Sequence, residues 1–488
     1  MADKLYVTTA IPYVNGKPHI GHALDYLIAD TWARYRTKKG DSVRFQIGAD
    51  EHGNKNAAKA KELGLTPQQF VDQSHLPFRE MAQLVGAGFT DFVRTTDEHH
   101  TRAVQYIWTK LKPYIYMDEY EGWYCNGCEQ FYTDKEVEST NGACPNHQAP
   151  YEHIKESNYY LRCSAFSDQI KQAIETDQMK IVPEFRKKEI LELIKDGVQD
   201  VSISRPVKSL SWGVAVPDDP NHVMYVWIDA LSNYLTVLGY PDNPDWNSFW
   251  PANLQVVGKD ILRFHAIIWP AMLLGLGLEL PKVILAHGFV DIDGAKISKS
   301  LGNGVDPKDI IDKYGLDTFR YYFLRHIPTL DDGDFSYEKL NSAYNGELAN
   351  DLGNLVNRIV AMVVKYQSGV LDIRISTRHD EMAYEEAFER FEFDKALDEV
   401  WGMIRSLNQY IDQVKPWEIA KASKDNRDEE AHLNEVLVYC VNSITQIGQL
   451  LAPFMPITSN YINELFSADT IEMPERPLFP RIIDGGDK

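Results

Sequence analysis

Two short polar segments, far apart in the chain, carry residue types that could bind phosphate. Residues 19–22 read His-Ile-Gly-His, and the glycine-bounded loop 294–303 carries Lys296 and Lys299. Glycine lets a backbone approach a ligand closely, and imidazole and ammonium groups can donate to phosphate oxygens. Two histidines alone are as typical of a simple turn as of a binding site, and a run of lysines usually forms a solvated face. Their occurrence together favours a nucleotide site.

Each segment follows an apolar run that is typical of a buried strand. Residues 5–10 precede the histidines, residues 23–35 after them have the apolar spacing of a helix, and residues 282–286 precede the lysine loop. Open α/β sheets bind their ligands at the carboxyl ends of strands. Further strands are predicted at 43–47, 223–227 and 254–260, the last ending in a glycine turn.

These patterns predict an α/β chain with a Rossmann-like parallel-sheet catalytic domain, a zinc-bearing insertion and an α-helical bundle. The helical part is predicted from apolar stripes that begin at Leu348, Leu397 and Leu433. The expected parts are the first half of the sheet domain at 1–112, the insertion at 113–217, the second half of the sheet domain at 218–288, the lysine-loop region at 289–345 and the helical domain at 346–488.

The cysteines predict one metal site. Cys125 and Cys128 form one pair, and Cys144 and His147 form another at the same spacing. Three thiolates and one imidazole can close the tetrahedron of a structural zinc ion. A redox role for the first pair would need a thioredoxin-like βαβ context, which is not predicted here. Of the remaining cysteines, Cys440 is expected as a buried apolar residue and Cys163 has no assigned role.

Composition restricts the class of protein. A chain of 488 residues is long enough for two to four domains, and its five cysteines, an odd number, fit a reducing compartment. No apolar stretch is typical of a membrane span or signal peptide, which predicts a cytoplasmic protein. The net charge of −21 argues against a nonspecific nucleic-acid binder. Basic clusters at 34–39 and 186–188 leave a confined RNA footprint open.

Motifs along most of the chain resemble those of the methionyl-tRNA synthetase family of class I aminoacyl-tRNA synthetases. The two phosphate-binding segments resemble the signatures of this class, with Ile297 where the family usually has Met. The resemblance runs from near the first residue to about Pro480. The supporting segments are 10–13, 48–53, 225–230, 258–265, 269–272, 350–358 and 415–417.

The resemblance implies that ATP and methionine, with Mg²⁺, react to give methionyl-adenylate, from which methionine is transferred to tRNA. Neither step needs a protein nucleophile, because positioning and positive charge near the phosphates suffice. His19, His22, Lys296 and Lys299 would act in catalysis and bind ATP, and Gly258 and Asp260 would bind adenosine. The methionine pocket would comprise Ile11, Tyr13, Asp50, Trp227, Ala230, Tyr234, Phe264 and His265, with Asp50 on the ammonium group.

The resemblance also implies the partners of the chain. Asn354, Arg358 and Trp417 would read the CAU anticodon of elongator and initiator methionine tRNA, and residues 289–345 would contact the tRNA stem. The single Cys/Cys/Cys/His set suggests a one-zinc form. Some members carry a C-terminal dimerising domain, and this chain stops soon after residues 477–480, so that a monomer is expected.

The residues leave two alternative functions open. One is a class I synthetase for another amino acid. A cysteine enzyme would need a metal-binding cysteine near the nucleotide motif, and the first 124 residues contain no cysteine. The enzymes for branched aliphatic amino acids carry a much larger insertion than this chain does. The other is a noncatalytic tRNA-binding or zinc scaffold protein, against which the intact histidines and lysines count. Methionine-dependent ATP–pyrophosphate exchange distinguishes all three.

Overall fold

The structure, a computed structural model, describes residues 2–125, 130–145, 148–296, 304–371, 380–423 and 426–482. The strands are β1 (Lys4–Thr9), β2 (Ser42–Ala49), β3 (Asp91–Arg94), β4 (Ile115–Cys125), β5 (Gln130–Tyr132), β6 (Glu152–Leu161), β7 (Lys180–Val182), β8 (Val201–Ser202), β9 (Ser204–Pro206), β10 (His222–Met224), β11 (Leu254–Gly258), β12 (Val283–His287), β13 (Val290–Ile292), β14 (Ala295–Lys296) and β15 (Gly333–Phe335).

Helices cover the sheet and build most of the second half of the chain. They are α1 (Ile20–Lys38), α2 (Asn54–Glu62), α3 (Pro67–Ser74), α4 (Leu76–Leu84), α5 (Glu98–Leu111), α6 (Asp134–Ser139), α7 (Ser167–Glu175), α8 (Glu184–Lys195), α9 (Val226–Thr236), α10 (Trp269–Gly275), α11 (Pro307–Tyr314), α12 (Leu316–Arg325), α13 (Tyr337–Ala343), α14 (Asn354–Gln367), α15 (Met382–Glu389), α16 (Phe393–Val414), α17 (Pro416–Ala422), α18 (Arg427–Leu451) and α19 (Pro456–Ser467). Within the described ranges, Phe264–Ile268 and Tyr344–Gly353 are π-helical.

A six-stranded sheet in the order β3-β2-β1-β11-β12-β7 positions the residues of interest. All its neighbouring strands are parallel. Its three central strands, β1, β11 and β12, are almost completely buried, as is typical of a parallel sheet covered on both faces. The order of the strands reverses between β1 and β11, so the carboxyl ends of these two strands border a crevice of the kind in which α/β sheets bind ligands.

The predicted strands and the first helix are confirmed, with one error. Residues 5–10, 43–47, 254–260 and 282–286 fall largely on β1, β2, β11 and β12, and residues 23–35 lie within α1.

The prediction of a strand at 223–227 is wrong in its second half. Strand β10 ends at Met224, Tyr225 is the extended N-cap residue, and α9 begins at Val226. An unbroken apolar run has no period that separates a strand from a buried helix. Trp227 therefore lies in the first turn of a helix.

The interval 113–217, predicted as an insertion, contains a four-stranded sheet in the order β5-β4-β6-β8, whose strands pair antiparallel. It also supplies β7, which joins the edge of the main sheet and pairs in parallel with β12. A strand of three residues between helices is too short to show periodicity in sequence. The insertion and the main sheet therefore share chain segments.

The helical stripes predicted from sequence are buried, and Cys440 lies among them with no exposed surface, as predicted. The largest hydrophobic core extends from one face of the main sheet into the helical domain, and includes Val7 as well as Leu397 and Leu437. Tyr35 of α1 stacks on Phe388 of α15, with ring centroids 4.0 Å apart at 13°. The two parts of the chain thus share one core.

Polar contacts also join α1 to the helical domain. Lys38 Nζ donates to the carbonyl of Gln449 at 2.5 Å, and Lys39 pairs with Glu385. Both arginines in the basic cluster 34–39 pair with aspartates, at 2.6 and 2.8 Å. These charges are engaged within the protein, and Lys38 and Lys39 tie α1 to the helical domain.

Arg320 of α12 is completely buried where α1, α4 and the helical domain meet. It contacts Asp30 of α1 at 2.7 Å and donates to the carbonyls of Phe454, Pro453 and Val85 at 2.8, 2.9 and 3.1 Å. A buried guanidinium group is stable only when its donors are satisfied in this way. Across the described part of the chain, no helix is long and apolar enough to cross a membrane.

Candidate active site

His19 and His22 lie at the start of α1, the first helix after β1. His19 is the N-cap residue, and its Nδ1 accepts from the backbone N–H of Gly21 at 3.1 Å. Nδ1 of His22 in turn accepts from the backbone N–H of His19 at 3.2 Å. This reciprocal capping fixes both rings. Because each Nδ1 accepts, the proton of each neutral ring is on Nε2, the atom that can donate to a phosphate at this helix N-terminus.

Gly258 and Asp260 lie beside this helix end, because β11 is the neighbour of β1. A Cβ atom on Gly258 would lie 2.8 Å from Oδ1 of Asp260, so the carboxylate folds closely over the glycine backbone. The N–H of Lys259 donates to the carbonyl of His287 at 3.1 Å and joins this turn to the end of β12. The arrangement places a carboxylate at the crevice, where it can accept from hydroxyl groups.

Lys296 is exposed at the end of β14, in the hairpin that β14 forms with β13. Its Nζ lies 6.0 Å from the ring centroid of Phe289, over which Lys259 Nζ also lies, at 4.6 Å. Lys259 pairs with Asp332, whose Oδ1 accepts from the N–H of Phe289 at 2.8 Å. The base of the hairpin is therefore fixed beside the turn that contains Gly258. Lys299 lies outside the described residues.

An apolar cluster occupies the same edge of the sheet. Ile11 and Tyr13, which follow β1, pack with Trp227 and Ala230 of α9. The indole of Trp227 stacks on Phe264, with ring centroids 3.7 Å apart at 12°. The structure therefore brings together five of the eight residues predicted to surround methionine.

Tyr234 and His265 form a buried polar pair next to this cluster. The hydroxyl of Tyr234 lies 2.7 Å from Nε2 of His265, and Nδ1 of His265 lies 3.0 Å from the carbonyl of Ile261. Burial lowers the pKa of His265 to about 4, so the ring is neutral near pH 7. Nδ1–H then donates to Ile261, and Nε2 accepts from Tyr234, whose own pKa is raised by burial.

Asp50 is the predicted partner of the substrate ammonium. It directly follows β2, is 5% exposed and forms a bridge with Tyr13 of the apolar cluster. Its N–H donates to the carbonyl of Pro12 at 2.9 Å, and its carbonyl accepts from Asn56 Nδ2 at 3.1 Å. The backbone that carries the carboxylate is thus held on both sides.

A buried cluster that sequence reasoning missed lies behind this loop. The carboxylate of Asp229 accepts from Nδ1–H of His52 at 2.7 Å and from Nε2–H of His100 at 2.9 Å. Burial alone would raise the pKa of Asp229, but the charge and hydrogen bonds of the two histidines lower it to about 2. His52 and Asp229 occur in motif segments of the sequence, yet no local spacing indicates that they meet.

The predicted anticodon residues lie on the helical domain. Asn354 is exposed at the first position of α14, and Arg358 follows one turn later. The guanidinium carbon of Arg358 lies 5.4 Å from the ring centroid of Trp417 in α17, and Arg358 also pairs with Asp412. Trp417 is half-buried against the core, so one part of its ring remains accessible.

Two of the four predicted zinc ligands can be placed. Cys125 and Cys144 are 1% and 0% exposed and belong to one small cluster with Val137 and Tyr151. Cys128 and His147 lie outside the described residues, and the residues that are described contain no group of three or more potential metal ligands. The two placed thiols come from the two predicted pairs, as a shared site requires.

The remaining two cysteines are unreactive by their surroundings. Burial raises the pKa of Cys163 and of Cys440 to about 12. Thiols in this range are not thiolates near pH 7, so they are neither nucleophiles nor good metal ligands.

Comparison with known proteins gives matches to tRNA synthetases along most of the chain. Residues 5–154 and 147–360 match a family model described as tRNA synthetases class I (M), and residues 379–480 match one described as the anticodon-binding domain of tRNA ligase. The chain is 41% identical over 473 residues to the methionine–tRNA ligase of Caldanaerobacter subterraneus subsp. tengcongensis, which covers 94% of this chain and 73% of that protein.

Two further similarities extend over nearly the same range. The methionine–tRNA ligase of Clostridium tetani is 42% identical over 480 residues, covering 95% of this chain and 74% of that protein. Methionyl-tRNA synthetase of Mycobacterium tuberculosis in complex with methionyl-adenylate has a TM-score of 0.90 and 34% identity, covering 98% of this chain and 100% of that chain.

Proposed function

Because the chain belongs to the methionyl-tRNA synthetase family of class I tRNA synthetases, we propose that it joins methionine to tRNA with ATP. A carboxylate oxygen of methionine attacks the α-phosphorus of ATP, and pyrophosphate leaves. A hydroxyl of the terminal ribose of tRNA then attacks the carbonyl of methionyl-adenylate, and AMP leaves. The observation that carries this proposal is the carboxyl edge of β2, β1 and β11, which brings together phosphate donors, a buried carboxylate and an aromatic cluster.

The phosphate end of the site supplies positive charge and donors rather than a nucleophile. His19 and His22 would donate from Nε2 to phosphate oxygens, and Lys296 and Lys299 would meet the charge that develops as pyrophosphate leaves. Asp260, folded over Gly258, would accept from the ribose hydroxyls. Mg²⁺ would accompany ATP, held largely by phosphates and water.

The methionine end would use the cluster beside Asp50. The Asp50 carboxylate would bind the ammonium group, and Trp227 and Phe264 would contact the thioether, a polarizable group that packs well on aromatic rings. Tyr234 and neutral His265 hold each other in one orientation, which supports a rigid end wall.

Specificity for tRNA would come from the helical domain. Asn354 and Arg358, on one face of α14, and Trp417 are proposed to read the CAU anticodon of methionine tRNA. Unpaired bases are recognised by stacking on aromatic rings and by hydrogen bonds to their edges. The contact between Arg358 and Trp417 supports this proposal, because it places a ring that can stack on a base beside a group that can donate hydrogen bonds.

One zinc ion is proposed for the insertion, bound by Cys125, Cys128, Cys144 and His147. The burial of Cys125 and Cys144 in one cluster supports the assignment. Four protein ligands leave no open position, so that the ion would be structural. A monomeric state and a cytoplasmic location are also proposed, the first to be tested by light scattering and the second by fractionation.

Methionine-dependent ATP–pyrophosphate exchange tests the proposed activity. We expect exchange with methionine and none with cysteine or the branched aliphatic amino acids. Lys299→Ala should slow exchange by roughly 10²–10³, the effect of losing one preorganised donor. The matched control is Lys308→Ala, an exposed lysine of α11 that pairs with Asp312, and it should exchange normally. A chain that shows no exchange at all would instead be a noncatalytic relative.

A further inference from the structure

Methionine would be held by two separate elements of the fold. Its ammonium group would bind Asp50, in the loop after β2, whereas its side chain would contact Trp227 and Ala230 of α9. An amino acid fits such a site only when its length matches the separation of the two elements. The contacts that fix this separation therefore bear on specificity.

The loop after β2 is held by contacts on several sides. Trp212 Nε1 donates to the carbonyl of Glu51 at 2.7 Å, and Asn56 Nδ2 donates to the carbonyl of His52 at 3.2 Å. The side chain of His52 extends to α9, where its Nδ1 lies 2.7 Å from Oδ2 of Asp229. This hydrogen bond directly joins the loop that carries Asp50 to the helix that carries the side-chain pocket.

Asp229 is well placed to act on the helix without touching substrate. It follows Trp227 by two positions, about 200° around a helix, while Ala230 follows by three and returns to the face of Trp227. Asp229 is 1% exposed and accepts from His52 and His100, so its carboxylate is fully engaged behind the pocket.

His100 of α5 fixes α9 in a second place. Its Nε2 lies 2.9 Å from Asp229, and its Nδ1 lies 2.7 Å from Oγ1 of Thr236 at the last position of α9. One imidazole therefore contacts two points that lie two turns apart on the same helix. This double contact opposes rotation and sliding of α9. A shift of His52 relative to Asp229 would therefore change the distance between Asp50 and the side-chain pocket on α9.

We infer that Asp229 and His52 are positioning residues that set the separation between the ammonium and side-chain subsites, and with it the length of amino acid that the enzyme accepts. The inference rests on the proposed function. It assigns the buried His52–Asp229–His100 cluster a role in choosing the substrate, in addition to its contribution to stability.

The test compares methionine with ethionine, which is longer by one methylene, in ATP–pyrophosphate exchange. His52→Ala removes the donor to Asp229 and should raise KM for methionine roughly 10- to 100-fold, the scale for a lost hydrogen bond to a charged group. We expect kcat and KM for ATP to stay near wild type, and the preference for methionine over ethionine to fall. His52→Asn, whose Nδ2 can replace Nδ1–H, should restore both quantities toward wild type.

Asp229→Asn is an independent variant at the other end of the hydrogen bond between His52 and Asp229. It should also raise KM for methionine and leave KM for ATP near wild type. The control is Asp30→Asn, a carboxylate equally buried in α1, which should lower thermal stability without changing KM for methionine. All assays are run well below the unfolding temperature of each variant.

Unchanged KM for methionine and unchanged preference in both His52→Ala and Asp229→Asn would overturn the inference. A parallel rise of both KM values together with a lower melting temperature would also overturn it, because that pattern is a general structural effect. Absence of methionine-dependent exchange in the unaltered protein would overturn the proposed function instead.

Discussion

The imidazole of His265 shows how burial sets the protonation state of a side chain. A charged ring would be poorly solvated at this buried position, and burial therefore lowers the pKa of His265 to about 4. The neutral ring then accepts from Tyr234, so both groups have fixed protonation states near pH 7.

This protonation state predicts a pH dependence of stability. The unfolded chain binds a proton at His265 below pH 6.5, whereas the folded protein does so only near pH 4, so wild type should lose stability as pH falls through this window. The loss should approach about 3 kcal/mol, from 1.36 kcal/mol per pKa unit. His265→Gln cannot titrate, so the difference in the free energy of unfolding between the two proteins should shrink toward pH 4.

Urea unfolding of both proteins between pH 7 and pH 4 measures this difference. His287, whose pKa is raised by Asp25 despite its burial, contributes with the opposite sign but is common to both proteins and cancels. Parallel stability curves over the whole range would show that His265 is not buried as a neutral ring.

The sequence predicts residues well where a local motif carries them and poorly where the contact is long-range. The histidines, Asp50 and the aromatic residues all follow strands or lie in motif segments, and the structure brings them to one edge. The bond between His52 and Asp229 spans 177 positions, and no periodicity in either segment indicates it. Such contacts depend on the packing of whole elements.

At the scale of elements, the insertion should depend for its stability on the zinc ion proposed for it. Cys144→Ser removes one proposed ligand from a buried cluster, so zinc content and melting temperature should fall together. Cys163→Ser is the matched control, because it replaces an equally buried thiol outside the proposed ligand set and should retain one zinc ion. Elemental analysis of protein purified without chelator measures both, and zinc-free wild type would contradict the assignment.

The helices α14 and α17 should act in tRNA charging and not in methionine activation. Trp417→Ala removes a ring that contacts Arg358, and charging should fall roughly 5-fold to 150-fold, since stacking on one base is worth about 1–3 kcal/mol. Trp417→Phe keeps an aromatic face and should recover much of the loss. If exchange without tRNA and melting temperature fall along with charging, Trp417 is a core residue.

Elements were predicted reliably where periodicity was long, as in α1, α16 and α18. The strand expected at 223–227 became a helix from Val226, because an entirely apolar run fits either structure once both of its sides are buried. Strand β7 is not predicted from sequence, because three residues are too few to show an apolar periodicity. Both errors come from tertiary packing, which decides what short apolar segments become.

At the scale of the molecule, Arg320 should be a major contributor to stability. Arg320→Met removes one partner of the buried Asp30 carboxylate and the donor to three backbone carbonyls. The free energy of unfolding should therefore fall by about 3–5 kcal/mol. The control is Arg390→Met, which removes an exposed arginine paired with Glu392 and should have no measurable effect. Equal stability of the two variants would show that the buried network is unimportant.

The shared core has a consequence for exchange of parts between relatives. A chain cut between residues 345 and 346 would yield two fragments with complementary apolar faces, because Val7, Leu397 and Leu437 belong to one core. A chimera that took its helical domain from another species would have to match that face as well as its tRNA. Tyr35 and Phe388, stacked across the junction, would then have to be inherited together. Exchange of helical domains between relatives is thus constrained by this packing as well as by recognition of tRNA.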